Sequence, residues 1–335
     1  MAANLTPQYL EAERRLKTAK TPQERLEIMQ EMMALMPKHK ATEKLQAGLK
    51  AKISKLKEEI ERQPAAKHGG VSYLVPKQGA GQVIVIGAPN AGKSLLIKAL
   101  TGADPEVGEY PFTTRVPAPY MMKFGNTRVQ LVDLPPVTAD LMESWQVELI
   151  KIADAALMVV DLADPEGPSQ VESLAAKLKE KRVEFAREDF VFPEEEIGPP
   201  VFRKRTLLVG NKADLDSGGE NLEMLRTFFV DTWTIVPASA ATGDGIGGLD
   251  GLKARIFGIL HVIRVYSKVP GKKADNGEPF ILKRGSTVLD AARSVHKDFA
   301  DKLNYARLWR RDVFTGQMAN RDQVLEDEDV VELHL

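Results

Sequence analysis

Gly87-Ala88-Pro89-Asn90-Ala91-Gly92-Lys93-Ser94 decides the fold. The apolar run Val83-Ile84-Val85-Ile86 precedes it, and the helical stretch Leu95–Leu100 follows. A strand, a turn of the form GxxxxGK[ST] and a helix, in that order, make a phosphate-binding loop. The glycines let backbone N–H groups turn onto phosphate oxygens, and the helix N-terminus adds partial positive charge. Lys93 has the reach for β- and γ-phosphates, and the Ser94 hydroxyl can ligate Mg2+. The binding set over this loop is Gly87, Asn90, Ala91, Gly92, Lys93, Ser94 and Leu95.

Working outward, residues 82–260 alternate short apolar runs with helical stretches. Strands are predicted at Gln82–Ile86, Arg128–Val132, Ala156–Val160, Thr206–Val209 and Trp233–Val236. Continuous apolar runs of this kind read as parallel strands buried on both faces, so the class is α/β with a doubly wound sheet. Asp133 ends the second strand in Asp133-Leu134-Pro135-Pro136 and is placed to hold Mg2+ through a water. Asn211-Lys212-Ala213-Asp214 follows the fourth strand. The Asp214 carboxylate can accept N1–H and N2–H₂ of guanine, an arrangement adenine does not offer. Asn211 can tie the base loop to the phosphate loop, and the Lys212 stem can lie over the base. Ser239-Ala240 after the fifth strand completes a base pocket with a backbone N–H for guanine O6. The ligand read from these residues is GTP or GDP.

The flanks differ in character. Leu26, Met29, Met33 and Met36 keep helical spacing behind Thr21-Pro22-Gln23-Glu24, a capping-box pattern. Leu45, Leu49, Ile53, Leu56 and Ile60 form a second apolar stripe, so residues 1–68 read as a helical hairpin region. Residues 163–205 read as an insertion or long crossover, with a helix over 170–187. From His261 the pattern becomes a small mixed domain over 261–335. It has strands at Val262–Tyr266, Pro279–Leu282 and Val330–Leu335 and a helix opened by Ser286-Thr287. Trp309, between Arg307 and Arg310, reads as a core residue or a base-stacking one, and His296 as structural.

The 335 residues carry 46 basic and 47 acidic side chains and no cysteine, which excludes disulfides, iron–sulfur clusters and a thiol nucleophile. No apolar run approaches membrane-spanning length. The first residues lack the apolar core of a leader peptide, so the expected location is cytoplasmic. The even charge hides blocks. Residues 38–57 hold seven lysines against one acid, and residues 261–325 hold thirteen bases against seven acids, a distribution that favours RNA as partner. Neither a membrane nor DNA is expected.

GAPNAGKS, Tyr110-Pro111-Phe112-Thr113-Thr114, DLP, NKAD and SA, in that order, resemble the Obg-related translation-factor GTPases. The lysine-rich 38–61 stretch resembles the helical region of developmentally regulated (DRG-type) GTP-binding proteins, and residues 263–335 are similar to their terminal TGS domain. The resemblance implies a P-loop GTPase domain over 69–260, a β-grasp TGS domain over 261–335, and ribosome- or RNA-linked GTP binding and hydrolysis. It makes Thr114 the switch threonine that closes on Mg2+, so Lys93 and Thr114 are the candidate catalytic residues. Asn90 matches the asparagine that holds K+ in potassium-stimulated relatives. A (p)ppGpp synthetase also carries a TGS domain, but this P-loop and NKxD belong to a different catalytic fold.

The sequence departs from the family where the third motif should read D-x-P-G. Pro136 replaces a glycine whose N–H donates to the γ-phosphate, and proline has no N–H and a fixed φ. No glycine occurs from Leu134 to Glu166, and residues 163–205 do not resemble the inserted domain of DRG-type proteins. Two readings stay open: a slow GTPase that couples nucleotide state to ribosome or RNA binding, and a nucleotide-binding scaffold on the ribosome that has given up hydrolysis. Reversing the charges of Lys50, Lys52, Lys55 and Lys57 is expected to weaken ribosome co-sedimentation. Co-sedimentation unchanged across salt would remove these lysines from the contact.

Overall fold

The structure is a computed structural model. It describes residues 16, 28–29, 32–33, 49, 52–53, 73–103, 116–192, 199–216, 218–245, 247–271, 277–310 and 314–335. The chain divides into two compact units, Met1–Ser72 and Tyr73–Leu335. In the first, the described residues are helical. Ile28, Met32 and Leu49 form a buried cluster, with Leu16, Met29, Met33 and Ile53 against it. The two predicted stripes therefore meet, as a hairpin requires. The Thr21–Glu24 capping box and the lysines of 38–57 other than Lys52 lie outside the described residues.

The second unit opens with a seven-stranded sheet. Its strands are β1 (Gln82–Ile86), β2 (Ala118–Phe124), β3 (Thr127–Asp133), β4 (Ala155–Asp161), β5 (Val183–Ala186), β6 (Phe202–Asn211) and β7 (Thr234–Pro237). The order is β2-β3-β1-β4-β6-β5, with β7 also on β6, and every pairing is parallel except the β2–β3 hairpin. Helices α1 (Lys93–Thr101), α2 (Ser144–Ile152), α3 (Gly167–Glu180), α4 (Glu220–Phe229) and α5 (Gly248–Ile259) cover it. The continuous apolar strands sort by alternation. Val83, Val85, Leu157 and Val159 face α1 and α5, while Ile84, Ile86, Ala156 and Met158 face α2, α3 and α4. Burial on both faces is why these strands are apolar throughout.

The helix predicted over 170–187 is corrected: α3 ends at Glu180 and the chain re-enters the sheet as β5. Arg182, at φ 63°, makes the turn. Val183-Glu184-Phe185-Ala186 then pairs with residues 202–205, the first half of a β6 longer than its apolar part. β7 pairs with residues 207–210, so β5 and β7 lie end to end along one edge of β6. Residues 163–205 thus build a helix and an edge strand. The sequence reading also missed β2, whose Ala118-Pro119-Tyr120-Met121-Met122-Lys123-Phe124 lacks a continuous apolar run because it is an edge strand.

The C-terminal part is a five-stranded sheet of β8 (Val262–Ser267), β9 (Phe280–Lys283), β10 (Tyr305–Arg310), β11 (Phe314–Ala319) and β12 (Asp329–His334), ordered β11-β10-β12-β8-β9. β12 runs parallel to β8 and the other pairs are antiparallel. Helix α6 (Val288–Val295) packs on one face, giving a β-grasp arrangement. It starts where predicted: Thr287 Oγ1 accepts from the Asp290 amide, and the Asp290 carboxylate accepts from the Thr287 amide at 2.9 Å. The hairpin β10–β11 and the short helix α7 (Lys297–Lys302) escaped the sequence reading. The His296 ring accepts from the Asp298 amide, a capping role. Trp309 is half-buried on the open face of this sheet, beneath the Lys268 ammonium and against Gly316.

One side chain joins the two sheets. Arg264, buried on β8, donates to both Asp327 carboxylate oxygens and to Glu328. Its guanidinium lies 5.0 Å from the Phe124 ring centre and 5.4 Å from that of Phe257, which stack on each other. Arg264→Ala is expected to lower the free energy of urea unfolding by about 1.5–3 kcal/mol, the scale of charge-assisted hydrogen bonds left without their donor. An unchanged midpoint would mean that neither sheet depends on this joint.

Candidate functional site

Parallel pairing of β1 with both β3 and β4 gathers the loops at the C-terminal strand ends. β1 ends at Ile86 and the chain turns through Gly87, at φ 151°, where a side chain would meet the Val159 carbonyl oxygen at 2.2 Å. Gly92, at φ 83°, is the N-cap of α1, and a Cβ there would come within 2.3 Å of Asn211 Nδ2. These two glycines are required by the approach of β4 and of the β6 loop. Asn90 takes a left-handed conformation at the exposed tip, and Leu95 is exposed on α1.

Lys93 is buried, and its ammonium donates to the carbonyls of Gly87 at 3.0 Å and Ala88 at 2.9 Å. Burial lowers its pKa to about 8, against the opposing field of Asp133. Asp133 sits at the end of β3 beside Val85, and its Oδ2 accepts the Ser94 hydroxyl proton at 2.7 Å. Burial raises its pKa, while the Ser94 bond and Lys93 oppose the rise. The other oxygen, Oδ1, is buried with no hydrogen-bond partner among the described residues. An orphaned carboxylate oxygen beside a serine hydroxyl fits a hard divalent cation or its water, because burial of such an acceptor is costly until something fills it. Among the described residues no cluster of three or more His, Cys, Asp or Glu side chains is arranged for a metal.

Asn211 ends β6 and is buried. Its Nδ2 donates to the Ala91 carbonyl at 2.9 Å, and its Oδ1 accepts from the Ala240 amide at 3.1 Å. The sequence reading anticipated the first bond. The second engages the Ala240 amide, and the Ser239 amide donates to the Asp244 carbonyl at 2.8 Å, so both backbone N–H groups of the pair expected to offer one to guanine O6 are engaged. Ser239 is fully buried and its Oγ accepts from the Thr242 amide. Asp214 is exposed, and its carboxylate has no partner among the described residues. Lys212 pairs with Asp161 at the end of β4, a residue that sequence reasoning missed. No local pattern marks Asp161. Its role follows from the β4–β6 register, which sets it beside Asn211.

The segment after Asp133 is pinned. The Leu134 amide donates to the Val85 carbonyl, Gln146 Nε2 to the Pro135 carbonyl at 3.3 Å, and the Val137 amide to the Gly87 carbonyl at 3.2 Å. Leu134 and Val137 are fully buried. Pro136 has no amide to offer, and the next amide is committed to the phosphate loop. Thr114 and the rest of Tyr110–Thr114 lie outside the described residues.

Fold and site together define a P-loop GTPase domain followed by a β-grasp domain. Residues 82–191 match the 50S ribosome-binding GTPase family, and residues 263–335 match the TGS domain. An uncharacterized GTP-binding protein of Halobacterium salinarum is 30% identical over 364 aligned positions, covering 92% of this chain and 98% of that protein. Developmentally-regulated G-protein 1 of Arabidopsis thaliana is 29% identical, covering 92% and 90%. The chain belongs to the DRG family of GTP-binding proteins, with a GTPase domain and a C-terminal TGS domain. The 364-position alignment is longer than the 335-residue chain, so the Halobacterium relative carries residues with no counterpart here. Among solved structures, the fold is shared with a GTP binding protein of Pyrococcus horikoshii (19% identity, TM-score 0.50, 76% of this chain and 99% of that one). It is also shared with the Schizosaccharomyces pombe YchF GTPase (12% identity, TM-score 0.52, 77% and 99%). Among the described residues no helix is long and apolar enough to cross a membrane.

Asn211→Ala removes two buried hydrogen bonds and orphans the Ala91 carbonyl and the Ala240 amide. The expected loss is about 2–4 kcal/mol of stability without nucleotide, measured by urea unfolding. Asn211→Asp keeps the acceptor for the Ala240 amide but sets a buried carboxylate oxygen against the Ala91 carbonyl, and is expected to lose at least as much. Equal stability of all three proteins would show that the loops hold together without this side chain.

Proposed function

We propose that the protein binds GTP and GDP with Mg2+ and acts as a slow cytoplasmic GTPase that couples its nucleotide state to ribosome or RNA binding. The observation that carries this reading is the convergence of Lys93, the Ser94–Asp133 pair and the Asn211-tied base loop at one set of strand ends. Lys93 leaves the Gly87 and Ala88 carbonyls for the β- and γ-phosphates, whose negative charge stabilises the buried ammonium. Backbone groups of Gly87, Ala91, Gly92 and Leu95 wrap the phosphates. Ser94 and Asp133 hold Mg2+, joined by Thr114 when GTP is bound. Mg2+ supplies neutralisation of phosphate charge, and K+ beside Asn90 would add to it. Asp214 selects guanine, with Lys212 over the base, and Ser239 and Ala240 form its O6 edge. The chain divides into a helical region over 1–68, the GTPase domain over 69–260 and the TGS domain over 261–335.

The second reading, a guanine-nucleotide-binding scaffold without hydrolysis, is favoured by the pinned segment 134–137. A glycine amide donating to the γ-phosphate is worth roughly 1.5–3 kcal/mol. Pro136 cannot supply it, and the Val137 amide is held by Gly87. Multiple-turnover GTP hydrolysis, in K+ and in Na+, with and without ribosomes, separates the two. The first reading expects turnover above the ribosome-only blank, faster in K+ and lost in Lys93→Ala. GTP binding with no turnover in any condition selects the scaffold.

A further inference from the structure

A cleft of about 690 Å3 lies where the tip of the β2–β3 hairpin faces the start of β9. Its hairpin wall carries Lys123 and Arg128, and its apolar lining is Met121, Pro279 and Ile281, with Glu278 the one acid among the described residues. Lys123 and Arg128 stand directly opposite each other in the antiparallel register. Like charges so placed oppose the pairing of the strands that carry them. Both are exposed, and neither has an ion-pair or side-chain hydrogen-bond partner among the described residues. Some other surface cations of this chain are neutralised locally: Lys151, Lys177, Arg187 and Arg226 each pair with a carboxylate two or three residues away.

The cleft is also preformed. Phe124 and Gly125 at the hairpin tip rest against the Arg264 guanidinium, which Asp327 and Glu328 hold in turn. Two cations without a partner among the described residues, in a cleft that also holds Met121, Pro279 and Ile281 at a joint between domains, suit a ligand with an anionic group attached to a flat apolar body. A nucleotide unit of a polynucleotide has both: its phosphodiester matches Lys123 and Arg128, and its base matches Met121, Pro279 and Ile281. The surrounding 261–325 stretch, with thirteen bases against seven acids, extends the positive field along which a chain could run. The geometry points to this cleft as a binding site for single-stranded RNA, gripped at Lys123 and Arg128. The inference rests on the RNA-coupled reading above and gives it a surface. That surface shares two strands with the nucleotide site, since Ala118 pairs with Asp133 at the hairpin's other end, about 20 Å away.

The test is fluorescence anisotropy of a labelled 12-nucleotide oligouridylate with the full chain and GDP–Mg2+, between 50 and 200 mM KCl. K123E/R128E is expected to bind at least tenfold more weakly and to lose about 1–1.5 from the log–log salt slope, as two fewer phosphate contacts require. Met121→Ala is expected to weaken binding with the slope unchanged. K179E/K181E, at the end of α3 beside the opposite edge of the GTPase domain's sheet, should match the wild type. Unaltered GDP affinity of K123E/R128E checks that it folds. Wild-type RNA binding that K123E/R128E leaves intact would overturn the cleft while sparing the RNA-coupled reading. Failure of the wild type to bind RNA would overturn the cleft and the RNA part of that reading, while coupling to the ribosome stands or falls with the turnover assay. Displacement of the RNA by 1 mM pyrophosphate would mark a small-anion site and overturn the assignment to RNA.

Discussion

The nucleotide-site end of the sheet depends on one side-chain amide. Asn211 donates to the loop after β1 and accepts from the loop after β7, so three loops from three strands are held by a single buried group. The arrangement exists because Gly92 has no Cβ, which would otherwise come within 2.3 Å of the Asn211 nitrogen. Parallel pairing brings strand ends together, but strand ends leave loops free to splay. A buried side chain that satisfies two backbone groups at once removes that freedom, because releasing it would leave both without partners.

Around this tie, the site is charged in a way that asks for a ligand. Lys93 is buried with its pKa lowered to about 8, Asp133 is buried with its pKa raised, and Asp133 Oδ1 has no partner among the described residues. Each is a group whose preferred charge burial opposes, and phosphate with a divalent cation would relieve all three together. The segment beyond Asp133 is the opposite case. Its backbone is already satisfied by Val85, Gly87 and Gln146. Movement there would cost bonds already made, so the site combines an unsatisfied phosphate end with a switch segment that is satisfied as it stands.

The joint between the two sheets follows a similar economy. Arg264 belongs to the first strand of the β-grasp sheet, yet its guanidinium lies over two aromatic rings of the GTPase domain while Asp327 and Glu328 hold it. A planar cation can stack and donate in its own plane at once, which a lysine could not do. The β2–β3 hairpin therefore reaches from Asp133 at one end to this joint at the other.

Local chemistry made much of this legible. The phosphate loop, Asp133, NKAD and the apolar strands could be read directly, because each depends on residues adjacent in the chain or on a run buried on both faces. Strands β2 and β5 and the β10–β11 hairpin could not. Strands β2, β5 and β11 lie at sheet edges, where one side meets solvent, and β10 alternates because the core of its sheet covers one face, so none needs a continuous apolar run. Segment 183–186 continues a helical-looking stretch, and only the spare length of β6 makes it a strand. Asp161 and the pinning of 134–137 were hidden for another reason: their partners are distant in sequence and meet only through the strand register. The sequence by itself determined which ligand chemistry this protein is built around, since phosphate and guanine recognition rest on short motifs. The tertiary structure alone decided how the loops are tied, how segment 134–137 is hydrogen-bonded and where Lys123 and Arg128 face a cleft, because those properties belong to contacts between segments that no local pattern records.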